Sequence, residues 1–297
     1  MVKSDTSALL SRAKRYRNQT CVSATARCLS RHLRSWLANV MSRAFLLRIA
    51  RAILPNTIQR SVRWRMANKV TRMQVLQHAI NTLGARRYLE VGIGGGACFC
   101  TVVVHEKIGV DPIAPSPAVS AEMSKPGACY FALTSDDFFK EVAPQVLAGG
   151  VDVVFIDGLH TYSQAYRDCM NSLTYLNPAG LIMLHDCLPT TELEAGVALT
   201  YADARKLNSG TSWDGAWVGD VWKVIVRLRS QHTDLKTCTL HSDHGIGVVY
   251  KGRNDRKLSY SLEQIDAMTY EDLAKNTKWL LNLRKPQALD AVMARLM

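Results

Sequence analysis

The stretch "VDVVFIDGLHTYSQAYRD", Val151 to Asp168, decides the fold. Five of its first six residues are apolar, and then Asp157 and His160 follow. "LIMLHDCLP", starting at Leu181, repeats the pattern and ends its apolar run in His185 and Asp186. A strand buried on both faces reads as a continuous apolar run. Carboxylates and imidazoles do not belong inside such a strand, but they do belong at the rim of the sheet, where ligands bind.

Working outward, other apolar runs alternate with helical patterns. Val75, Leu76, Ile80 and Leu83 share a helical spacing that Gly84 can end. "RYLEVGIGGGACFC" reads as a short strand running into glycines, with a helix expected after them. "KIGVDP" is a second strand, and "CYFALTSDDFF" a third that enters a helix. The opening stretch supplies a fourth strand and a helix around 162–176. Asn177-Pro178-Ala179-Gly180 reads as a turn before a fifth strand. The alternation predicts an α/β fold with a doubly wound, mostly parallel sheet. "DLKTCTLHSDHGIGVVYKG" predicts an antiparallel hairpin over about 235–252, followed by two helices. Asp111, Asp157, His160, His185 and Asp186 then fall at strand ends along one crevice.

The charge is unevenly placed. Residues 1–70 carry fifteen lysines and arginines against one aspartate, +14, while the remainder is near neutral at −2. The chain therefore divides into a basic helical extension, 1–69, and a body, 70–297. Leu29, Leu33, Trp36, Leu37 and Val40 fall on one helical face, with Arg27, Arg31 and Arg34 opposite. Pro55-Asn56 ends that helix. Such a face suits an anionic membrane surface, an organellar targeting segment, or packing on the body or a second copy of the chain. No aromatic stacking motif accompanies the arginines, so nucleic acid is not the expected partner. No run of 18 uncharged apolar residues is present. The eight cysteines form no CxxC pair and several sit in apolar runs, which argues against a zinc knuckle and for a reducing, cytoplasmic setting with membrane association through the arm.

Gly92, Gly94, Gly95 and Gly96 follow a strand directly and let a phosphate or nucleoside approach the backbone. Gly92-x-Gly94-x-x-Ala97 also fits the dinucleotide fingerprint, so the glycines alone leave an NAD-linked oxidoreductase open. Glu90, two residues before the first glycine, separates the readings. "YLEVGIGGG", "IGVDP", "FIDGLHTY" and "LIMLHDC" resemble, in order, the motifs of class I S-adenosylmethionine-dependent methyltransferases. The nearest resemblance is to the bacterial branch of metal-dependent sugar and small-molecule O-methyltransferases, and it covers roughly residues 70–285.

That resemblance implies a Rossmann-like body and S-adenosylmethionine bound by Glu90, Gly92, Gly94, Gly96, Asp111, Ser135, Asp136 and Asp157. It also implies Mg²⁺ or another divalent ion at Asp157 and Asp186, and His160 as general base on a sugar, glycoside or small hydroxylated acceptor. His185 stands where an oxygen ligand is expected and Cys187 where the catechol-type enzymes carry Asn. His185 is therefore a second base, a substrate contact or a ligand favouring a softer ion. Each residue also has a plain alternative. Asp157 can cap a turn, either histidine can be a satisfied hydrogen bonder, and Ser135 or Asp136 can cap a helix. "SWDGAWVGD", 212–220, is either an aromatic cover for the acceptor or a helix cap at Asp220 with core tryptophans. A degenerate body that serves only membrane or partner binding is the remaining alternative; the intact glycine loop, Glu90 and Asp111 argue against it.

Deleting residues 1–60 is expected to spare methyl transfer to a soluble acceptor. The deletion should abolish low-salt binding to anionic vesicles, measured by co-sedimentation. Loss of folding on deletion would instead make the arm structural.

Overall fold

The computed structural model describes residues 70–297. The amphipathic basic helix and the rest of the 1–69 extension lie outside the described residues. Helix α1, Arg72–Leu83, opens with a Thr71/Gln74 capping box, buries Val75, Leu76, Ala79 and Ile80, and ends at Gly84. Strands β1 (Arg87–Val91), β2 (Glu106–Val110), β3 (Ala128–Phe131), β4 (Val151–Ile156) and β5 (Leu176–Leu184) follow, with α2 (Pro117–Met123) between β2 and β3. Helical turns fill residues 135–146, and α3 (Tyr162–Tyr175) joins β4 to β5. Then come α4 (Tyr201–Leu207), α5 (Trp222–Gln231), the hairpin β6 (Leu235–Leu240) and β7 (Ile246–Lys251), and α6 (Leu262–Ala267), α7 (Tyr270–Leu280) and α8 (Leu289–Leu296). The tail thus holds three helices where the sequence pattern predicted two.

The seven strands form one sheet in the order β3-β2-β1-β4-β5-β7-β6. The first five are parallel, and β7 inserts antiparallel between β5 and β6. Strand order reverses between β1 and β4, so a crevice opens at their carboxyl ends. Leu89, Val154, Phe155, Ile182, Met183 and Leu184 are buried, as a sheet covered on both faces requires. Asn177–Gly180 does leave the ladder: Val151 pairs with Leu176 but Val153 with Leu181. Asn177 Nδ2 donates to Asp152 Oδ1 at 2.7 Å and ties that excursion down. The free edge of β6 is covered by residues 281–284, through Thr239 N to Leu281 O at 3.0 Å and Arg284 N to Thr239 O at 2.8 Å.

The helix expected after the glycines is not formed. Fourteen residues, 92–105, separate β1 from β2, and they make only tight turns such as Cys100 N to Gly96 O and Val102 N to Cys98 O, both 2.9 Å. The run "ACFCTVVV" is apolar without helical period, and its carbonyls need another partner. Lys107 on β2 supplies it. Its buried ammonium donates to Phe99 O at 2.9 Å and Val102 O at 2.5 Å, and pairs with Glu122 of α2 at 2.7 Å. Burial raises the Glu122 carboxyl, but Lys107 and Lys125 outweigh it and hold it below the usual range. Lys107→Met leaves a buried carboxylate and two carbonyls unmet. It should destabilise the fold by about 3–5 kcal/mol in urea denaturation, with Lys107→Arg less harmful. A loss below about 1 kcal/mol would remove this pair from the fold's supports.

Candidate active site

At the end of β1 the chain must pass the end of β4 at close range. A Cβ on Gly92 would lie 2.2 Å from the Asp157 carbonyl oxygen, and Gly92 has φ 86°. Glycine is therefore required for packing here, before any ligand is considered. A Cβ on Gly94 or Gly95 would meet nothing within 4 Å, so the loop there borders open space. Asp111, at the end of β2, fixes the loop from below. Its Oδ2 accepts from Ile93 N at 2.8 Å and Gly94 N at 2.9 Å, and its Oδ1 from Ile113 N at 2.9 Å.

The loop forms one wall of a 330 Å³ cavity whose lining also includes Glu90, Asp157, His160, His185, Asp186 and Trp217. Glu90 is 2 % exposed, and Tyr88 OH donates to its Oε2 at 2.6 Å. Burial pushes the Glu90 carboxyl up to about 8, beyond what the tyrosine can offset. A neutral acid waits here for a cationic group.

Beside the loop, Asp157 and Asp186 end the neighbouring strands β4 and β5. Asp186 adopts φ 58°, a left-handed conformation that aspartate tolerates better than most residues. His185 N still completes the ladder to Ile156 O at 2.9 Å, and the turn at Asp186 then breaks the alternation of a strand. Both His185 and Asp186 consequently line the cavity. His185 Nδ1 lies 3.1 Å from Asp157 Oδ1 and 3.1 Å from Asp186 Oδ1. Burial alone would lower the His185 pKa, but the two carboxylates outweigh it and hold it well above the ordinary histidine value. His185 in turn holds the buried Asp157 carboxyl below its usual range.

His160 is set differently. Its Nδ1 lies 2.9 Å from the Trp217 carbonyl oxygen, which fixes that nitrogen as the donor. Nε2 then faces the carboxylates, 3.1 Å from Asp186 Oδ2 and 3.9 Å from Asp157 Oδ1. The ring lies against Trp217, centroids 4.6 Å apart. Gly219 makes this approach work: a Cβ there would fall 1.9 Å from the His160 carbonyl oxygen. Donor atoms of Asp157, His160 and Asp186 all lie within 4.8 Å of one another, a spacing that one divalent ion can span. Two carboxylates and an imidazole accept Mg²⁺ or a softer first-row ion.

The cavity thus gathers Glu90, Gly92, Gly94, Asp157, His160, His185 and Asp186. Gly96, Asp111, Ser135 and Asp136 are not among its lining residues. Gly96 packs against Val119, Ser135 Oγ accepts from Gln164 at 3.1 Å, and the exposed Asp136 pairs with Arg167 at 3.3 Å. The "SWDGAWVGD" loop divides between its two readings. Trp217 lines the cavity, whereas Trp222 is buried in the core. Asp220 does cap a helix, but it caps α3 rather than its own, accepting from Tyr162 N at 2.7 Å.

Sequence reasoning missed Arg72, Cys98 and His244, which also line the cavity. Arg72 sits at the start of α1, its Nε 3.8 Å from Asp157 Oδ2 and its backbone N–H donating to Asp243 Oδ2 at 2.7 Å. The Arg72 Nε is buried without a hydrogen-bond partner. Arg72 is the first residue of the helix capped by Thr71, a place whose reach into the crevice depends on tertiary packing.

The buried Glu90 carries a proton at neutral pH in the unliganded cavity. A ligand bearing an ammonium group should displace that proton. Titrating S-adenosylhomocysteine at pH 7 in buffers of different ionisation enthalpy should therefore register net proton release, and affinity should rise as pH climbs toward 8. Glu90→Gln should abolish the release and weaken binding about tenfold to a hundredfold. Equal proton uptake in the wild type and Glu90→Gln would contradict this assignment.

Residues 89–187 match a family model described as a methyltransferase domain. No curated protein matches the chain. Among solved structures, the chain is similar to an O-methyltransferase from Bacillus cereus in complex with S-adenosylhomocysteine. That match has 14 % identity and a TM-score of 0.41, covering 70 % of this chain and 97 % of the other. It is also similar to an O-methyltransferase from Streptomyces achromogenes involved in tomaymycin synthesis. Here identity is 11 % and the TM-score 0.43, covering 73 % and 94 % of the two chains. The stretch from Leu89 to Cys187, which the methyltransferase-domain model matches, carries the glycine loop, Asp157, His160, His185 and Asp186, on a sheet of the doubly wound kind.

Proposed function

We propose that the protein is an S-adenosylmethionine-dependent O-methyltransferase acting on a sugar, glycoside or small hydroxylated metabolite. The observation that carries this reading is the shared cavity. A neutral buried acid, a glycine loop bordering open space, two carboxylates and an oriented imidazole line it together.

The residues fit the amino-acid end of the cofactor. Glu90 suits an ammonium, and the orphaned Arg72 Nε suits a carboxylate. Bound there, S-adenosylmethionine would supply an electrophilic methyl on sulfur. Asp157 and Asp186 suit a divalent ion, which would supply Lewis acidity and make the acceptor hydroxyl easier to deprotonate. His160 takes the hydroxyl proton at Nε2, while Nδ1 keeps its bond to the Trp217 carbonyl and steadies the imidazolium that forms. Loss of that proton gives the acceptor oxygen the electron density it needs for in-line attack on the methyl. Trp217 presents an aromatic ring beside His160, a surface on which a sugar ring can stack. Asp111 contributes by holding the glycine loop through Ile93 N and Gly94 N.

A second reading of His160 is favoured by its 3.1 Å approach to Asp186: Nε2 could serve as a third ligand to the ion. The N-terminal arm, in either case, would place the enzyme on an anionic membrane or join two copies of the chain. Among the described residues no helix is long and apolar enough to cross a membrane.

His160→Ala should lower turnover by about 10²–10⁴-fold while S-adenosylhomocysteine affinity stays within a few-fold. Elemental analysis of the same variant separates the roles. Metal content equal to the wild type assigns the base, and loss of metal assigns the ligand. Asp186→Asn should lose both metal and turnover, and excess chelator should silence the wild type. Full turnover in chelator, with no metal held, would leave His160 as an unaided base.

A further inference from the structure

A second cavity lies at the far side of the sheet and shares no lining residue with the first. It measures 310 Å³ and is bounded by β6, the loop after β7, residues 282–284 and α8. Five cationic side chains line it: Arg229, Lys236, Arg256, Arg284 and Arg295. Asp255, 3.5 Å from Lys236, is the only carboxylate lining it among the described residues. Like charges do not gather at one hollow without cost, and nothing in the methyl-transfer chemistry uses them.

The interior of the hollow is built rather than merely charged. Arg229 is 2 % exposed and is held by main-chain carbonyls alone in its hydrogen bonds, those of Trp279, Leu280 and Arg256. Burial, with Arg256 and Arg284 beside it, pushes its guanidinium down to about 10. Arg284 is oriented by Asn282, whose Oδ1 accepts from its Nε at 3.1 Å and its Nη2 at 2.7 Å. Thr237, on β6, is 7 % exposed and lines the same hollow, and its buried hydroxyl has no hydrogen-bond partner. An orphaned hydroxyl among arginines is a donor awaiting an oxyanion.

A smaller hollow of 270 Å³ adjoins this one and shares Arg256, Asn282 and Arg284 with it. Lys278, Trp279 and Leu283 complete its lining, and Trp279 is 58 % exposed. Cations in one chamber and an exposed aromatic ring in the next match a phosphate group joined to a planar ring.

We propose that this pair of hollows is a nucleotide-binding site, with the phosphates held among Arg229, Arg256, Arg284, Arg295 and Thr237 and the base lying on Trp279. A bounded hollow of 310 Å³ fits a diphosphate better than the continuous track that a nucleic-acid strand needs.

The test uses GDP, pyrophosphate and guanosine as probes in calorimetric titrations of the full-length protein near physiological salt. S-adenosylhomocysteine is kept saturating so that the first cavity is blocked. GDP should bind, pyrophosphate should bind about tenfold more weakly, and guanosine should not register. The double variant Arg256→Ala/Arg295→Ala removes two solvent-exposed side chains and should weaken both ligands at least about tenfold. Trp279→Leu should weaken GDP alone. Thr237→Val, which replaces an unpaired hydroxyl with a methyl, should keep or raise the melting temperature and still weaken pyrophosphate; it holds the test open if the double variant folds poorly. Three results would overturn the site: no heat from GDP or pyrophosphate, binding indifferent to the variants, or an RNA oligonucleotide bound more tightly than GDP and lost in the same variants. None of them depends on the methyl acceptor or on turnover.

Discussion

Two carboxylates, Asp157 and Asp186, end adjacent parallel strands and line the same cavity. They repel each other, and much of the surrounding structure answers that repulsion. His185 lies between them at 3.1 Å from each, and Arg72 adds a guanidinium from the start of α1. Asp243, on the β6–β7 turn, anchors that arginine and is itself held near 2 by His185 and by the Arg72 backbone N–H, although burial works the other way. Three separate parts of the chain thus converge on one pair of charges. Positioned cation-seeking oxygens beside Trp217 are what a hydroxyl-activating enzyme requires.

Glu90, at the end of β1, follows a complementary logic. Burial pushes its carboxyl up to about 8, so the cavity keeps its negative charge at Asp157 and Asp186. Gly92 and Gly219 set how closely the loops pack at the cavity, since a side chain at either would strike the main chain of Asp157 or His160. Neither glycine touches chemistry through a side chain, yet both fix where the chemistry can occur.

Much of this was legible in the sequence because strand ends are legible. Continuous apolar runs mark buried parallel strands, and the polar residues that stop them mark the crevice; Asp157, His160, His185 and Asp186 emerge this way, while Glu90 was read from its place two residues before the first glycine. Arg72 and His244 do not, since a helix start and a hairpin turn reach the crevice only through tertiary packing. The helix after the glycine loop failed for a local reason. "ACFCTVVV" has no helical period, and Lys107 satisfies its carbonyls instead. Asp111 carries a further lesson. An acid at the right strand end can already be occupied, here by the amides of the loop it supports. The cationic hollow behind β6 left no local signature, because Arg229, Arg256, Arg284 and Arg295 come from four different segments.

Whether cofactor and cation share the one cavity is decided by a crystal structure of the protein with S-adenosylhomocysteine and Mn²⁺, collected at the manganese edge. The amino-acid end of the ligand should lie against Glu90 and Arg72, with an anomalous peak bounded by Asp157 and Asp186. S-adenosylhomocysteine lying elsewhere, or no manganese peak between those carboxylates, would contradict that placement.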